Sequence, residues 1–336
     1  MMNYPNITIP LRSEHLWRYT SWKRIHPTNV DEIPTADPVK FSEGEDSKIE
    51  DSDEIARSFI HSVSKICKRI NLVGENKEVD LRCSGHICAG ELEINSKGDS
   101  SLILRISGDA GWTGIRLVGT VSGNLSVAVV NDLSKDGHFL RAEDWTINRD
   151  SSLEFATLSV GGFLNKSDIR VKLAGKGAEL RAGIASNGHA SRHDDHHFEI
   201  DHSIGYTTSS LVMHAACSGS SHSIGTGLLK IADGADGSDA AQVFRNLLLS
   251  EKARAEAIPE LEVLADDVKA AHGAASAPID ENQLHYLSSR GLSKSQASSL
   301  IVEGFLMDAF RHVKNDIVVD CLRTRLLVHL ECLING

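Results

Sequence analysis

At 336 residues, with 41% hydrophobic and 24% charged side chains, the chain has the composition of a globular protein of about two domains that buries its own core. Its 46 acidic against 35 basic side chains give a formal net charge of −11, which opposes non-specific binding to nucleic acid or anionic membrane and favours a basic partner surface. Six scattered cysteines are too few for a disulfide framework, no N-terminal apolar stretch resembles a signal peptide, and no apolar run is long enough for a membrane span, so the expected compartment is the cytoplasm.

Residues 1–78 read as an N-terminal polar and helical region. Its acidic, Ser-rich stretch Phe41 to Asp53 is expected to be a solvated linker, with Ser52 or Asp53 capping a helix. Ile55, Phe59, Ile60, Val63, Ile66 and Ile70 form that helix's apolar stripe, and Gly74 with Asn76 stops it. Residues 79–276 then switch to short alternating runs, among them Leu102 to Ile106, Leu125 to Val130, Phe155 to Val160 and Ile169 to Leu173, separated by turn residues. Sandwich, barrel and β-helix all satisfy that pattern, although so long a series without an intervening helix favours a β-solenoid. Residues 277–336 are expected to be a C-terminal helical domain. Asp280 with Gln283 and Ser293 with Gln296 have the spacing of capping boxes, and Gly291 separates the two helices. From Phe305 to Leu333 a broad apolar face continues, part of it expected on the β body and part on a partner.

Several groups could carry chemistry. The run Arg192-His193-Asp194-Asp195-His196-His197, with His202 and His214 beyond it, has metal-ligand residue types. His193, His196 and His197 are the candidate ligands, and an independent β-helical metalloprotein or enzyme using the His193 to His202 cluster is the alternative function. Strand geometry argues against convergence, because His193, Asp195 and His197 would share one face and His196 the other. Hydrogen-bonded polar residues are the plainer reading. Cys83 and Cys88 lack zinc-knuckle spacing, and Cys67, Cys217, Cys321 and Cys332 read equally as small hydrophobes. Gly108 to Gly114 and Gly234 to Gly237 read as turns rather than phosphate loops. No nucleophile elbow or H-E-x-x-H appears, so no enzyme activity is expected of the chain itself.

Residues 259 to 305, PELEVLADDVKAAHGAASAPIDENQLHYLSSRGLSKSQASSLIVEGF, change from strand-like to helical with His272 and Gly273 at the seam. This block closely resembles the C-terminal segment of the SufB/SufD family of iron–sulfur cluster assembly proteins, whose pattern is PELEI-x-ADDVK-x-x-HGA followed by D-x-x-x-x-x-YL-x-SRG. Residues 190 to 310 carry the likeness, including the His-rich line before Thr207, Thr208 and Ser209. Glu14, Trp17, Arg18, Tyr19 and Thr20, in RSEHLWRYTSWKRI, are similar to the start of the D-type branch. The resemblance also implies that Phe244, in AAQVFRNLLLS, stands where B-type proteins carry a cluster-site Cys. The resemblance implies a right-handed parallel β-helix flanked by helical segments, and a SufD-like subunit of the SUF machinery. It further implies docking of a SufC-type ABC ATPase on the C-terminal helices, around Asp280, Tyr286, Arg290 and Phe305. The β-helix end would pair with a SufB-type paralogue or with a second copy as a homodimer. His272 is then the candidate nascent-cluster ligand, at a transient inter-chain Fe–S site with no tightly bound cofactor.

Overall fold

Alternating apolar residues build a parallel β-solenoid of about 8 turns, with 49% of the chain in strands and short helical segments at both ends. This is the architecture of a computed structural model that describes residues 4–335. Before the first turn come α1 (Trp22–Ile25), three short strands β1 (Asp37–Pro38), β2 (Lys40–Phe41) and β3 (Glu45–Asp46), and α2 (Ile55–Val63). The turns themselves stack as two opposed sheets. Strands β4 (Cys67–Val73) and β5 (Asn76–Cys83) make the first turn, and the long strands β6 (Ile87–Gly108) and β7 (Trp112–Leu133) each run through both sheets. After them, β8 (His138–Ile147), β10 (Leu164–Leu173), β12 (His193–His202), β14 (His222–Ile231) and β16 (Arg254–Val263) continue the first sheet. The second continues through β9 (Ser152–Ser159), β11 (Glu179–Gly188), β13 (Thr208–Cys217), β15 (Asp239–Leu248) and β17 (Lys269–Pro278).

Inward positions of both sheets form one apolar core. Leu92, Leu117, Trp145, Val171 and Ile200 from the first sheet meet Leu81, Leu104, Val127, Phe155, Leu211 and Phe244 from the second. Outside the first sheet lies the N-terminal segment, where Trp17, Trp22, Ile25, Phe59 and Ile60 cover Ala89, Trp112, Leu140 and Leu164. Outside the second lie α4 (Lys294–Met307) and α5 (Asp316–Asn335), preceded by α3 (Glu281–Ser289). Leu306, Phe310, Leu322 and Leu326 there pack on Ile103, Val130, Leu158 and Val212. Gly183 is required at this contact, since a Cβ on it would come within 2.4 Å of the Ala309 carbonyl oxygen.

Four local expectations need correcting. The helix after the linker ends at Val63, because Ile70 alternates with Leu72 on β4 and pairs with Ile94 of β6, so the last part of its apolar stripe serves a strand. Its N-cap is Glu54, without a side-chain cap, while the Ser52 hydroxyl accepts from the Glu54 N–H at 3.2 Å. The supposed linker supplies β2 and β3, which pair antiparallel with β5 and β4. His272 is no seam, since β17 runs on to Pro278, ladder-paired throughout with β15.

At the C-terminal end, Ser293 and Gln296 form the full capping box, whereas Asp280 caps α3 through the Asn282 N–H alone. The apolar stretch after Phe305 is interrupted by a 3-10 turn at Asp308–Phe310 before α5 begins.

Candidate functional site

The last turn is where the solenoid's construction leaves chemistry exposed. His272 sits at an inward position of β17, opposite Gln242 of β15, which itself follows Leu211 and Ala182 in register. Deeper in the stack such positions are buried; His272, Ala274 and Ser276 are exposed because no further turn covers them. Beneath His272, the buried Gln242 amide donates to the Glu260 carbonyl at 2.7 Å, and its Oε1 has no hydrogen-bond partner. Phe244, paired with Met213 below and Ala274 above, is fully buried, so the apolar core closes just under the terminal strand. A Cβ on Gly273 would meet nothing within 4 Å, so open space rather than a local contact surrounds that residue.

The His-rich strand β12 is arranged differently. His193, Asp195 and His197 turn outward and His196 inward, and every one of them is buried. His193 Nε2 shares a hydrogen bond with the Thr20 hydroxyl at 2.8 Å, tying the N-terminal segment to the sheet. His196 Nδ1 shares one with Ser167 at 2.7 Å, and His197 Nδ1 with Thr226 at 2.9 Å, each partner one turn away. His202 engages Thr207 and Ser209 through its two ring nitrogens. Burial holds all four imidazoles neutral, down to about 4. Among the described residues, no group of three His, Cys, Asp or Glu side chains is placed to hold a metal ion.

Cysteine chemistry is similarly muted. Burial raises the Cys67 thiol to about 11 and the Cys217 thiol to about 12, which disfavours the thiolate needed for metal or sulfur chemistry. Cys83 and Cys88 interact so that the first thiol is raised and the second lowered, and Cys83 Sγ donates to the Leu81 carbonyl at 3.9 Å. Cys332, expected as a buried hydrophobe, is exposed on α5.

The four residues expected at a docking surface are not all together. Asp280 caps α3, and Tyr286 on that helix is 58% exposed with Arg290 stacked 5.2 Å over its ring. Phe305 lies on α4, stacked on His214 of β13 at 4.6 Å, and its carbonyl bonds His214 Nδ1 at 2.8 Å. Its ring faces the solenoid. Further apolar side chains of these helices do reach solvent, among them Leu300, Ile317 and Val328.

Sequence reasoning missed the buried ion pairs that fasten the N-terminal segment. Arg57 of α2 bonds Asp144 at 2.8 Å and Asp168 at 2.5 Å, and Lys166 pairs with Asp195 at 2.9 Å while donating to the Leu16 carbonyl. Burial alone would raise the Asp168 carboxyl, but Arg57 and Arg170 outweigh it and hold it well below the usual range. No local signal marks these partners, because Arg57 and Asp168 are 111 residues apart.

Against known proteins, residues 113–305 match the family described as SUF system FeS cluster assembly, SufBD core domain, which extends well beyond the motif block. An iron–sulfur cluster assembly SufBD family protein of Mycobacterium leprae is 27% identical over 279 residues, 80% of this chain and 69% of that protein. The iron–sulfur cluster assembly protein SufD of Escherichia coli is 26% identical over 210 residues, 61% of this chain and 49% of its own length. SufD of Bacillus subtilis is 32% identical over 187 residues, covering 54% of this chain and 41% of its own. The chain thus matches about two thirds of the mycobacterial relative and about half or less of the two SufD proteins.

Proposed function

The chain belongs to the SufB/SufD family of the SUF iron–sulfur cluster assembly system, and from that premise we propose that it acts as a SufD-like, non-enzymatic assembly subunit. It supports nascent cluster formation together with a SufC-type ABC ATPase and a SufB-type paralogue or a second copy of itself. The observation that carries this reading is the uncovered last turn, which presents the His272 imidazole and a free strand edge to another chain. A neutral imidazole is a suitable iron ligand, and one ligand from this chain requires others from the mate. Phe244, buried where a B-type protein is expected to carry Cys, fits that division of ligands. Nucleotide chemistry belongs in this scheme to the ATPase, which would dock on the helices after Pro278 through exposed groups such as Tyr286 and Arg290. Working in the cytoplasm is part of the same proposal, and no described helix is long and apolar enough to cross a membrane.

Reconstitution tests it. His272→Ala is expected to leave the thermal midpoint unchanged, because the side chain is exposed, while cluster formation in the assembled complex falls by about tenfold or more. Deleting the helices after Pro278 is expected to abolish copurification with the ATPase. Unchanged cluster formation in His272→Ala would reduce the chain to a purely structural partner.

A further inference from the structure

Outside the first sheet, the initial residues of β12, β14 and β16 stack in register as His193, His222 and Arg254. The two imidazoles meet edge to face with centroids 5.2 Å apart, and the Tyr19 ring meets His222 edge-on at 6.5 Å. The N-terminal segment crosses this column. Thr20 is bonded to His193, and Arg24 in the next turn of chain reaches the same place, close enough for its charge to disfavour protonation of His193. Between segment and sheet opens a cleft of about 570 Å³, within the size range of small-molecule sites. Corner turns complete its rim with Ser191, Ser220, Glu251 and Lys252.

Unmatched cations gather at this cleft. Elsewhere on the face the buried and half-buried basic groups are matched, Arg57 by Asp144 and Asp168, Arg116 by Glu91, Lys166 by Asp195, Arg170 by Asp168 and Glu54, and Lys230 by Glu199, while the exposed Lys172 is in no ion pair among the described residues. Arg24, Lys252 and Arg254 are in no ion pair among the described residues. Of the nearby carboxylates, Asp195 is matched by Lys166, while Glu256 lies 3.5 Å from His222, whose protonation burial disfavours, leaving Glu251 and Glu256 against three cations. Arg12 adds further positive charge beside Arg24. In a chain of net charge −11, such a concentration of unmatched cations around hydroxyl and imidazole donors is a local reversal.

We propose that this cleft binds a small phosphate-class oxyanion, held between Arg24 of the N-terminal segment and Arg254 of the solenoid, with Lys252 and the serine hydroxyls at its rim. Guanidinium groups suit this ligand because they give paired, charge-assisted hydrogen bonds to phosphate oxygens. Bridging two parts of the chain, the ligand would also fasten the N-terminal segment onto the later turns.

Calorimetric titration of inorganic pyrophosphate into the full chain at low ionic strength provides the test, with succinate as the carboxylate comparison. Saturable binding at one site is expected, weakened at least about tenfold in both Arg24→Ala and Arg254→Ala. Arg149→Ala, on an exposed corner turn away from the cleft, should bind like the parent chain. Exposure of all three arginines keeps the variants folded, which an unchanged thermal midpoint verifies. Absence of saturable pyrophosphate binding, equal affinity for succinate, or equal weakening in Arg149→Ala would overturn the assignment.

Discussion

His196 and His197 are neighbours in sequence and lie on opposite sides of one strand, yet both are buried, neutral and bonded to a hydroxyl one turn away. With His193 and His202 they make four imidazoles whose folded values lie near 4, against about 6.5 in an unfolded chain. Between those limits the unfolded chain binds more protons than the folded one, so stability rises with pH. The contribution is complete above about pH 6.5 and is lost as pH falls toward 4, at about 1.4 kcal/mol per proton for each pH unit. Urea midpoints measured at pH 7.5 and pH 5 should therefore differ clearly, the lower value belonging to pH 5. His197→Gln keeps a hydrogen-bonding group near Thr226 but cannot titrate, so its midpoint should fall less over the same interval. An equal fall in parent and variant would show that His197 is not among the groups responsible.

Elements are held to the solenoid by few, specific approaches. The 3-10 turn Asp308–Phe310 lies against Gly183, while the Glu154 carboxylate accepts from the Lys314 and Asn315 N–H groups at 3.0 and 3.2 Å, just before α5. Gly183→Ala would drive a Cβ against the Ala309 carbonyl, and the helical end must shift to relieve it. The expected cost is about 1–3 kcal/mol, with proteolytic cleavage after Pro278 accelerated while the β body stays resistant. Much of this level was legible in the sequence. Runs such as Leu102 to Ile106 and Ile169 to Leu173 carry the period-two pattern of buried strands, and Ser293 with Gln296 forms the box that their spacing implies. The end of α2 was not legible, because Ile66 and Ile70 satisfy a helical stripe and Ile70 with Leu72 equally satisfies a strand. Neither was the candidate site's exposure. His272 occupies an inward register position, and only its place in the final turn, a property of the whole stack, leaves it uncovered.

The two ends of the molecule are unlike. At the first turn, β2 and β3 lie antiparallel against β5 and β4, so that edge is paired and shielded. At the last, β16 and β17 each have a ladder partner on one side, and no described strand adds to the other. Lys269 and Ile279 donate back to Ser238 and Leu248, so the alternation of a parallel ladder turns the backbone groups of His272 and Ala274 toward the missing next turn. A long edge of this kind templates pairing with another chain unless something blocks it. Isolated protein is accordingly expected to associate end to end at micromolar concentration, or to be captured by a paralogue carrying a similar free edge. Ala274→Lys places a charge at an inward, exposed position of that edge without removing any internal ladder bond. The variant should keep the parent's thermal midpoint and run as a monomer by light scattering, and Ala274→Ser should associate like the parent. Association surviving unchanged in Ala274→Lys would place the contact elsewhere, and would remove the geometric basis for an inter-chain site at His272.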